Sequence, residues 1–171
     1  MSDSVPSAAA DPKTKVRETF HMLPIGRVRR SEGGIHIEID APYRPALKQL
    51  DQFSHVMVFW WADWFDNDEY RAMLQCEPPY AAGHVTGVFA TRSPYRPNPI
   101  AMTTCKLLRV DEEQGRLEVA DIDAVDGTRV VDLKAYFGVC DRVREAHIPD
   151  WLSDWPAWMP EEGIGLMEGE E

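Results

Sequence analysis

The chain has 171 residues, 44% of them hydrophobic and 10% aromatic, which is enough for one packed core and excludes a wholly disordered protein. Its formal charge of −11 is unevenly held: residues 161–171 carry five carboxylates and no base, residues 1–19 three acids against three bases, and residues 20–160 the remaining 21 acids against 15 bases. An acidic body repels a phosphate backbone unless its arginines gather on one face, so non-specific nucleic-acid binding is excluded and a specific contact is left open.

Residues 1–19, rich in Ser, Ala, Asp and Pro, read as a disordered arm, and residues 161–171 as a solvated acidic tail, which leaves one domain over 20–160. The first residues have neither the basic nor the apolar region of a secretory signal, and no apolar run of about 18 residues occurs, so a soluble, cytoplasmic protein is expected. Cys76, Cys105 and Cys140 are widely spaced with no CxxC pair, which predicts reduced and mostly buried thiols.

From Phe20 the chain alternates in the manner of a strand. Ile35, Ile37 and Ile39 interleave with His36, Glu38 and Asp40 after a Gly33-Gly34 turn that follows Arg27 to Ser31, which predicts a β-hairpin with one wet face. A short helix is expected near Ala46 to Leu50. Ser54 to Ala62 (SHVMVFWWA) is an apolar run rich in β-branched and aromatic residues and reads as a central, buried strand. Asp66 to Gln75 has the acidic start and the spacing of a short helix. Strands are expected at His84–Thr91, Ile100–Val110, Gly115–Val125 and Thr128–Phe137. Six or seven strands with short connections and one or two short helices predict a mainly β fold, a single small antiparallel β-barrel. Trp151, Trp155 and Trp158 fall at i, i+4 and i+7, which predicts a helical face packed on the barrel.

Two segments carry the chemistry. In Ala90 to Met102 (ATRSPYRPNPIAM), Ser93, Arg96 and Asn98 each precede a proline, so the loop is stiff and holds Arg92 and Arg96 on a pre-ordered support. Such a support grips an anion or a planar group with little ordering cost; it also serves as a plain crossover with solvated arginines. In Asp121 to Tyr136 (DIDAVDGTRVVDLKAY), Asp126-Gly127 marks a tight turn, after which Asp132, Lys134 and Tyr136 share one strand face and Val131, Leu133 and Ala135 the other. That polar face is either a ladder of weak surface ion pairs or part of a site. The carboxylates of Asp121, Asp123, Asp126 and Asp132 lack the spacing of a calcium loop, and no metal is expected.

Gly87 to Met102, Asp123 to Tyr136 and Leu50 to Trp61 together resemble the TsaA-like family, also called TrmO or YaeB, over roughly residues 20–141. The resemblance implies a small β-barrel, a homodimer, S-adenosylmethionine as cofactor, and N6-methylation of threonylcarbamoyl-adenosine in the tRNA anticodon loop. Carried over by motif, the implied cofactor contacts are Arg92, Ser93, Arg96, Met102, Asp123, Ala124, Val125 and Asp126, with Asp63 and Trp64 as a further pair. An arginine suits the cofactor's carboxylate, and carboxylates suit its hydroxyls and cationic groups. Asp126, Lys134 and Tyr136 are the candidates for handling the proton of the acceptor nitrogen, with Asn98 as an orienting hydrogen-bonder. The sequence lacks the Pro-Arg-Gln insertion of tRNA-modifying members and ends in a Trp-rich segment, Pro149 to Pro160, in place of their C-terminal domain. The alternative acceptor is a small molecule or other non-tRNA substrate; a cofactor-binding module without turnover is the third reading.

Overall fold

The computed structural model describes residues 19–161 and 163; all of the expected N-terminal arm but residue 19, and most of the acidic tail, lie outside the described residues. Six strands close a barrel: β1 (Gly26–Ser31), β2 (Gly34–Ile39), β3 (His55–Trp61), β6 (Ile100–Asp111), β7 (Arg116–Val119) and β8 (Arg129–Ala135). Around it they run β1-β2-β7-β6-β3-β8, and every pairing is antiparallel. A separate two-stranded ribbon joins β4 (Gln75–Cys76) to β5 (Thr86–Gly87). The two helices, α1 (Asp68–Arg71) and α2 (Gly138–Asp141), are single turns.

Period-two patterning fills the barrel. Val28, Ile37, Ile39, Val56, Val58, Leu117, Val119 and Val130 are buried in one cluster, and Trp60 closes it near one end. The predicted hairpin forms with Ile37 facing in beside Val28 and with Glu38 exposed opposite Arg27. In β8 a bulge shifts the register: Phe59 faces Asp132 while Trp60 faces Val130, so Val131 is the extra residue and Val130 turns inward. The sequence reading, which placed Val131 on the buried face, missed that slip.

Five expected elements differ. The segment read as one strand over His84–Thr91 is only the two-residue β5 followed by a 3-10 turn at Val88–Ala90, because Val85 and Phe89 face solvent and only Val88 is buried. The helix expected over Asp66–Gln75 shrinks to α1, capped by the Asn67 side chain accepting from the Tyr70 N–H at 3.0 Å. The helix expected near Ala46–Leu50 is a pair of 3-10 turns, Ala41–Leu47 and Leu50–Gln52; Pro45, inside the first, supplies no N–H for an α-helical bond. The strand read over Gly115–Val125 stops at Val119. The tryptophan helix is absent: a 3-10 turn at Asp150–Leu152 is its only helical part, and Trp158 is 74% exposed. Of the thiols, Cys105 is buried, Cys76 half-buried and Cys140 exposed, all three free.

Barrel closure at β1 depends on close backbone approach. A Cβ built on Gly26 would lie 2.1 Å from the Glu38 carbonyl oxygen of β2. Gly26→Ala is expected to cost about 1–3 kcal/mol, lowering Tm by roughly 3–10 °C, as read by thermal unfolding.

Candidate functional site

Three prolines, Pro94, Pro97 and Pro99, leave the loop of residues 91–99 short of backbone donors, and arginine side chains make up the shortage. Arg96 turns back into its own loop: Nε donates to the Ser93 carbonyl at 2.8 Å, and Nη2 to the Val88 and Thr91 carbonyls at 2.9 and 2.7 Å. From outside, Arg71 of α1 donates to the Pro97 carbonyl at 3.2 Å and pairs with Asp66 at 2.6 Å. Tyr95 packs edge-on against Phe65 with centroids 5.0 Å apart. Ser93 caps the turn by accepting from the Tyr95 N–H at 3.2 Å. Arg92 differs from Arg96: it is exposed, its Nη1 donates to the Met102 carbonyl at 3.2 Å, and its Nε and Nη2 make no hydrogen bond among the described residues.

The second loop, residues 120–126, explains why its sequence reads as strand. Ile122 and Ala124 are buried in alternation, as strand residues would be, yet no strand runs alongside them. Arg30 of β1 takes the place of that strand: Nε donates to the Ala124 carbonyl at 2.8 Å, Nη2 donates to the Ile122 carbonyl, and its backbone N–H donates to the Asp126 carboxylate at 2.8 Å. One residue thereby holds both carbonyls and the turn that leads into β8. Sequence reasoning left Arg30 without a role, and no local pattern signals it, since its partners lie more than 90 positions away.

The two loops meet around Asp123. The Thr103 hydroxyl donates to its carboxylate and in turn accepts from the Trp60 indole N–H at 3.0 Å. Burial raises the Asp123 carboxyl above the ordinary aspartate value of 3.8; the Thr103 hydrogen bond opposes that shift, Asp121 adds to it, and the nearby Arg92 charge lessens it. Cys105, behind it, is pushed up to about 12, chiefly by burial, and is inert as a nucleophile. A half-buried carboxylate that is in no ion pair among the described residues is suited to a positively charged ligand. Arg92, with open donors, is suited to a carboxylate. This donor set fits S-adenosylmethionine, which carries both kinds of group. A cavity of 270 Å³ opens next to Thr103, the anchor of Asp123, and is lined also by His55, Thr104, Lys106 and Asp121; neither Arg92 nor Asp123 lines it.

The other sequence-derived candidates are dispersed. Asp63 is held by Arg129, which donates through Nε at 2.6 Å and through Nη2, so its carboxylate fixes the start of β8; Trp64 beside it is 63% exposed. Val125 is half-buried in the Arg30-held loop, and Asn98 is exposed between its prolines. Asp126 precedes β8 and Tyr136 follows it, beyond opposite ends of a seven-residue strand about 20 Å long. Lys134 pairs with Asp132 at 2.9 Å on the exposed outer face, as a surface ladder would. Tyr136 lies edge-on to His55, with centroids 6.1 Å apart, and His55 lines the cavity. Of the four proton-handling and orienting candidates, Tyr136 is thus the one tied to the cavity wall. Among the described residues no group of carboxylates, histidines and cysteines is placed to hold a metal ion.

Comparison with known proteins bears on the family and the fold. The model of the family described as "tRNA-methyltransferase O N-terminal domain" matches residues 14–142. A "Probable S-adenosyl-L-methionine-binding protein" of Archaeoglobus fulgidus is 41% identical over 127 residues, 74% of this chain and 32% of that protein. A "tRNA (adenine(37)-N6)-methyltransferase" of Mus musculus is 41% identical over 96 residues, 56% of this chain and 21% of that protein. The crystal structure of TrmO from P. aeruginosa superposes with a TM-score of 0.60 at 27% identity, covering 78% of this chain and 62% of that one. The chain therefore spans about a third or less of the length of these two curated relatives.

Two outcomes test the site. Arg30→Met leaves the Ile122 and Ala124 carbonyls without a donor and is expected to cost about 2–4 kcal/mol, with faster hydrogen exchange in residues 120–127. Asp123→Asn keeps an oxygen for Thr103 and removes the charge. A folded-state pKa raised above the unfolded one destabilises the wild type at pH values above it, and the penalty vanishes as pH falls below the ordinary 3.8. The variant is therefore expected to melt above wild type at neutral pH, with the gap closing in acid; a constant gap contradicts the assignment.

Proposed function

The chain belongs to the family of the tRNA-methyltransferase O N-terminal domain, and from that membership we propose that it is an S-adenosylmethionine-dependent methyltransferase whose acceptor is the N6 nitrogen of threonylcarbamoyl-adenosine in the anticodon loop of tRNA. It acts in the cytoplasm, as a homodimer, in tRNA processing. The observation that carries the reading is the pairing, at one end of the barrel, of an arginine with open donors (Arg92) and a half-buried carboxylate of raised pKa (Asp123) on two loops that arginines hold rigid. The relatives named for S-adenosylmethionine binding and for tRNA methylation support it.

When bound, S-adenosylmethionine supplies an electrophilic methyl group on a sulfonium that leaves without acid assistance. The protein's share is positioning. Arg92 holds the carboxylate end through Nε and Nη2, while its Nη1 stays on Met102 and fixes the direction of the fork. Asp123, anchored by Thr103 and Trp60, faces the cationic part, and Met102 together with the buried loop residues provides an apolar wall. Asp126 holds the turn through Arg30. With the cofactor held there, the methyl carbon would pass from sulfur to the acceptor nitrogen, its carbon–sulfur bond breaking to release a neutral thioether, and the nitrogen would give up its proton. Tyr136, beside His55 at the cavity, is the group placed to pass that proton to water, and Asn98 on the rim orients the acceptor. Lys134, paired with Asp132, tunes charge on the outer face.

A second reading, a small-molecule acceptor, draws on the acidic body of the chain. Transfer of labelled methyl to tRNA, with and without the threonylcarbamoyl group, separates the two. Label confined to the modified nucleoside is the expected result. Label on neither tRNA, from protein that binds the cofactor, transfers the proposal to the second reading. Arg92→Ala is expected to weaken cofactor binding about 10- to 100-fold, the worth of a charged hydrogen bond, in equilibrium dialysis; unchanged affinity removes Arg92 from the site.

A further inference from the structure

The family match stops at residue 142, and the Trp-rich segment that follows has no assigned role. It touches the segment that leads into the Arg92 loop and the loop that holds Asp123. At one end, Trp151 stacks on His84 with centroids 5.9 Å apart and an interplanar angle of 21°, and Trp155 packs on Tyr80 at 5.0 Å. Burial raises the Tyr80 pKa and the nearby Arg92 backbone offsets part of that rise, so the contact lies beside the root of the arginine. At the other end, Pro160 to Gly163 forms a turn closed by the Gly163 N–H donating to the Pro160 carbonyl at 3.1 Å. Gly163 has φ of +92°, a conformation that side chains disfavour, and a Cβ there would lie 2.6 Å from the Cβ and Oδ2 of Asp121. The turn is thus fitted to Asp121, two positions before Asp123. Between these ends, Met159 and Pro160 roof the 270 Å³ cavity over Thr103.

We infer that residues 150–163 are a strap that ties the Arg92 loop to the Asp123 loop and covers the cavity beside them. Tyr80, Trp155 and Gly163 are positioning residues: they act on the site through the Arg92 backbone and the Asp121 side chain. The strap's effect on cofactor affinity rests on the functional reading above; its effect on the loops does not.

The test compares the full chain with one ending after Gly163 and one ending after Ile148, and adds Trp155→Ala, Trp155→Phe and Gly163→Val. Hydrogen exchange is read in residues 77–84 and 120–126, and S-adenosylmethionine affinity by equilibrium dialysis. Ending after Gly163 is expected to change neither reading. Ending after Ile148 is expected to speed exchange in both loops, with β3 and β6 still protected, and to weaken cofactor binding by about tenfold or more; Trp155→Ala should give up to about tenfold and Trp155→Phe most of the wild-type behaviour. Unchanged exchange in both loops on removal of the strap overturns the inference. Should the long deletion also unprotect β3 and β6, the point variants decide: exchange unchanged in Trp155→Ala and Gly163→Val overturns it equally. A full chain that binds no S-adenosylmethionine defeats the functional reading alone, and exchange still judges the strap.

Discussion

The donation of arginine N–H groups to backbone carbonyls is the interaction on which the site depends. A six-stranded barrel satisfies its own backbone only along its ladders, and the loops that leave it expose carbonyls for which prolines offer no donors. Arg96 bonds three carbonyls, Arg30 two, Arg44 the Ile39 and Glu113 carbonyls at 3.2 and 3.0 Å, Arg27 the Gly127 carbonyl at 2.9 Å, and Arg71 that of Pro97. Guanidinium suits this work better than ammonium, since its donors diverge in one plane and can reach two carbonyls at strand-like spacing. Irregular loops are thereby held nearly as firmly as strands.

That firmness gives the charges of the site their meaning. A carboxylate on a mobile loop would turn to water, and its pKa would stay ordinary. Asp123 cannot, because Ile122 and Ala124 on either side are buried and their carbonyls are fixed by Arg30. Its desolvation is imposed by its neighbours, and its side-chain donor is the neutral Thr103 hydroxyl, itself held by the Trp60 indole N–H. The result is a charge that a cationic ligand relieves, opposite an arginine whose other donors remain open. The fold therefore stores a modest unfavourable electrostatic term in the free protein and recovers it on binding, which is preorganisation in the ordinary sense.

How much of this was legible in the sequence depended on whether the relevant contact was local. The Gly33-Gly34 hairpin, the SHVMVFWWA strand and the period-two core positions such as Ile37 and Val58 were readable because alternation and turn chemistry are carried by adjacent residues. The same alternation misled over Ile122 and Ala124, where burial persists but a side chain replaces the partner strand. It misled again over Val85 and Phe89, whose apolar residues face outward. The helical spacing of Trp151, Trp155 and Trp158 was coincidental, since each ring finds a different surface and Trp158 is exposed. The Ala90 to Met102 and Asp123 to Tyr136 motifs located the two loops correctly, but not which arginine was free. Arg92 and Arg96 stand alike in the motif, and only the bonds of Arg96 to Ser93, Val88 and Thr91 distinguish them.

The accounting of arginines bears on the acceptor as well. Among the described residues, Arg29, Arg109, Arg116, Arg129 and Lys134 sit in ion pairs, as does Arg71, while Arg27, Arg30, Arg44 and Arg96 are held by carbonyls. Arg92 is held through Nη1 alone, by the Met102 carbonyl, and Lys48, Lys106, Arg142 and Arg144 have neither kind of partner among the described residues; these five are the cations most open to phosphate. A surface so poor in open cations, on a body with more acids than bases, cannot draw an RNA in by counterion release on the scale of dedicated nucleic-acid binders. An RNA acceptor would have to be recognised mainly through its shape and through one exposed base, with Lys106 at the cavity wall and Arg142 and Arg144 at the start of the C-terminal segment guiding the backbone. For the tRNA acceptor proposed above, such a surface would favour specificity for a modified base over affinity for tRNA in general: the few charges would place the strand, and the walls of the cavity would decide what enters.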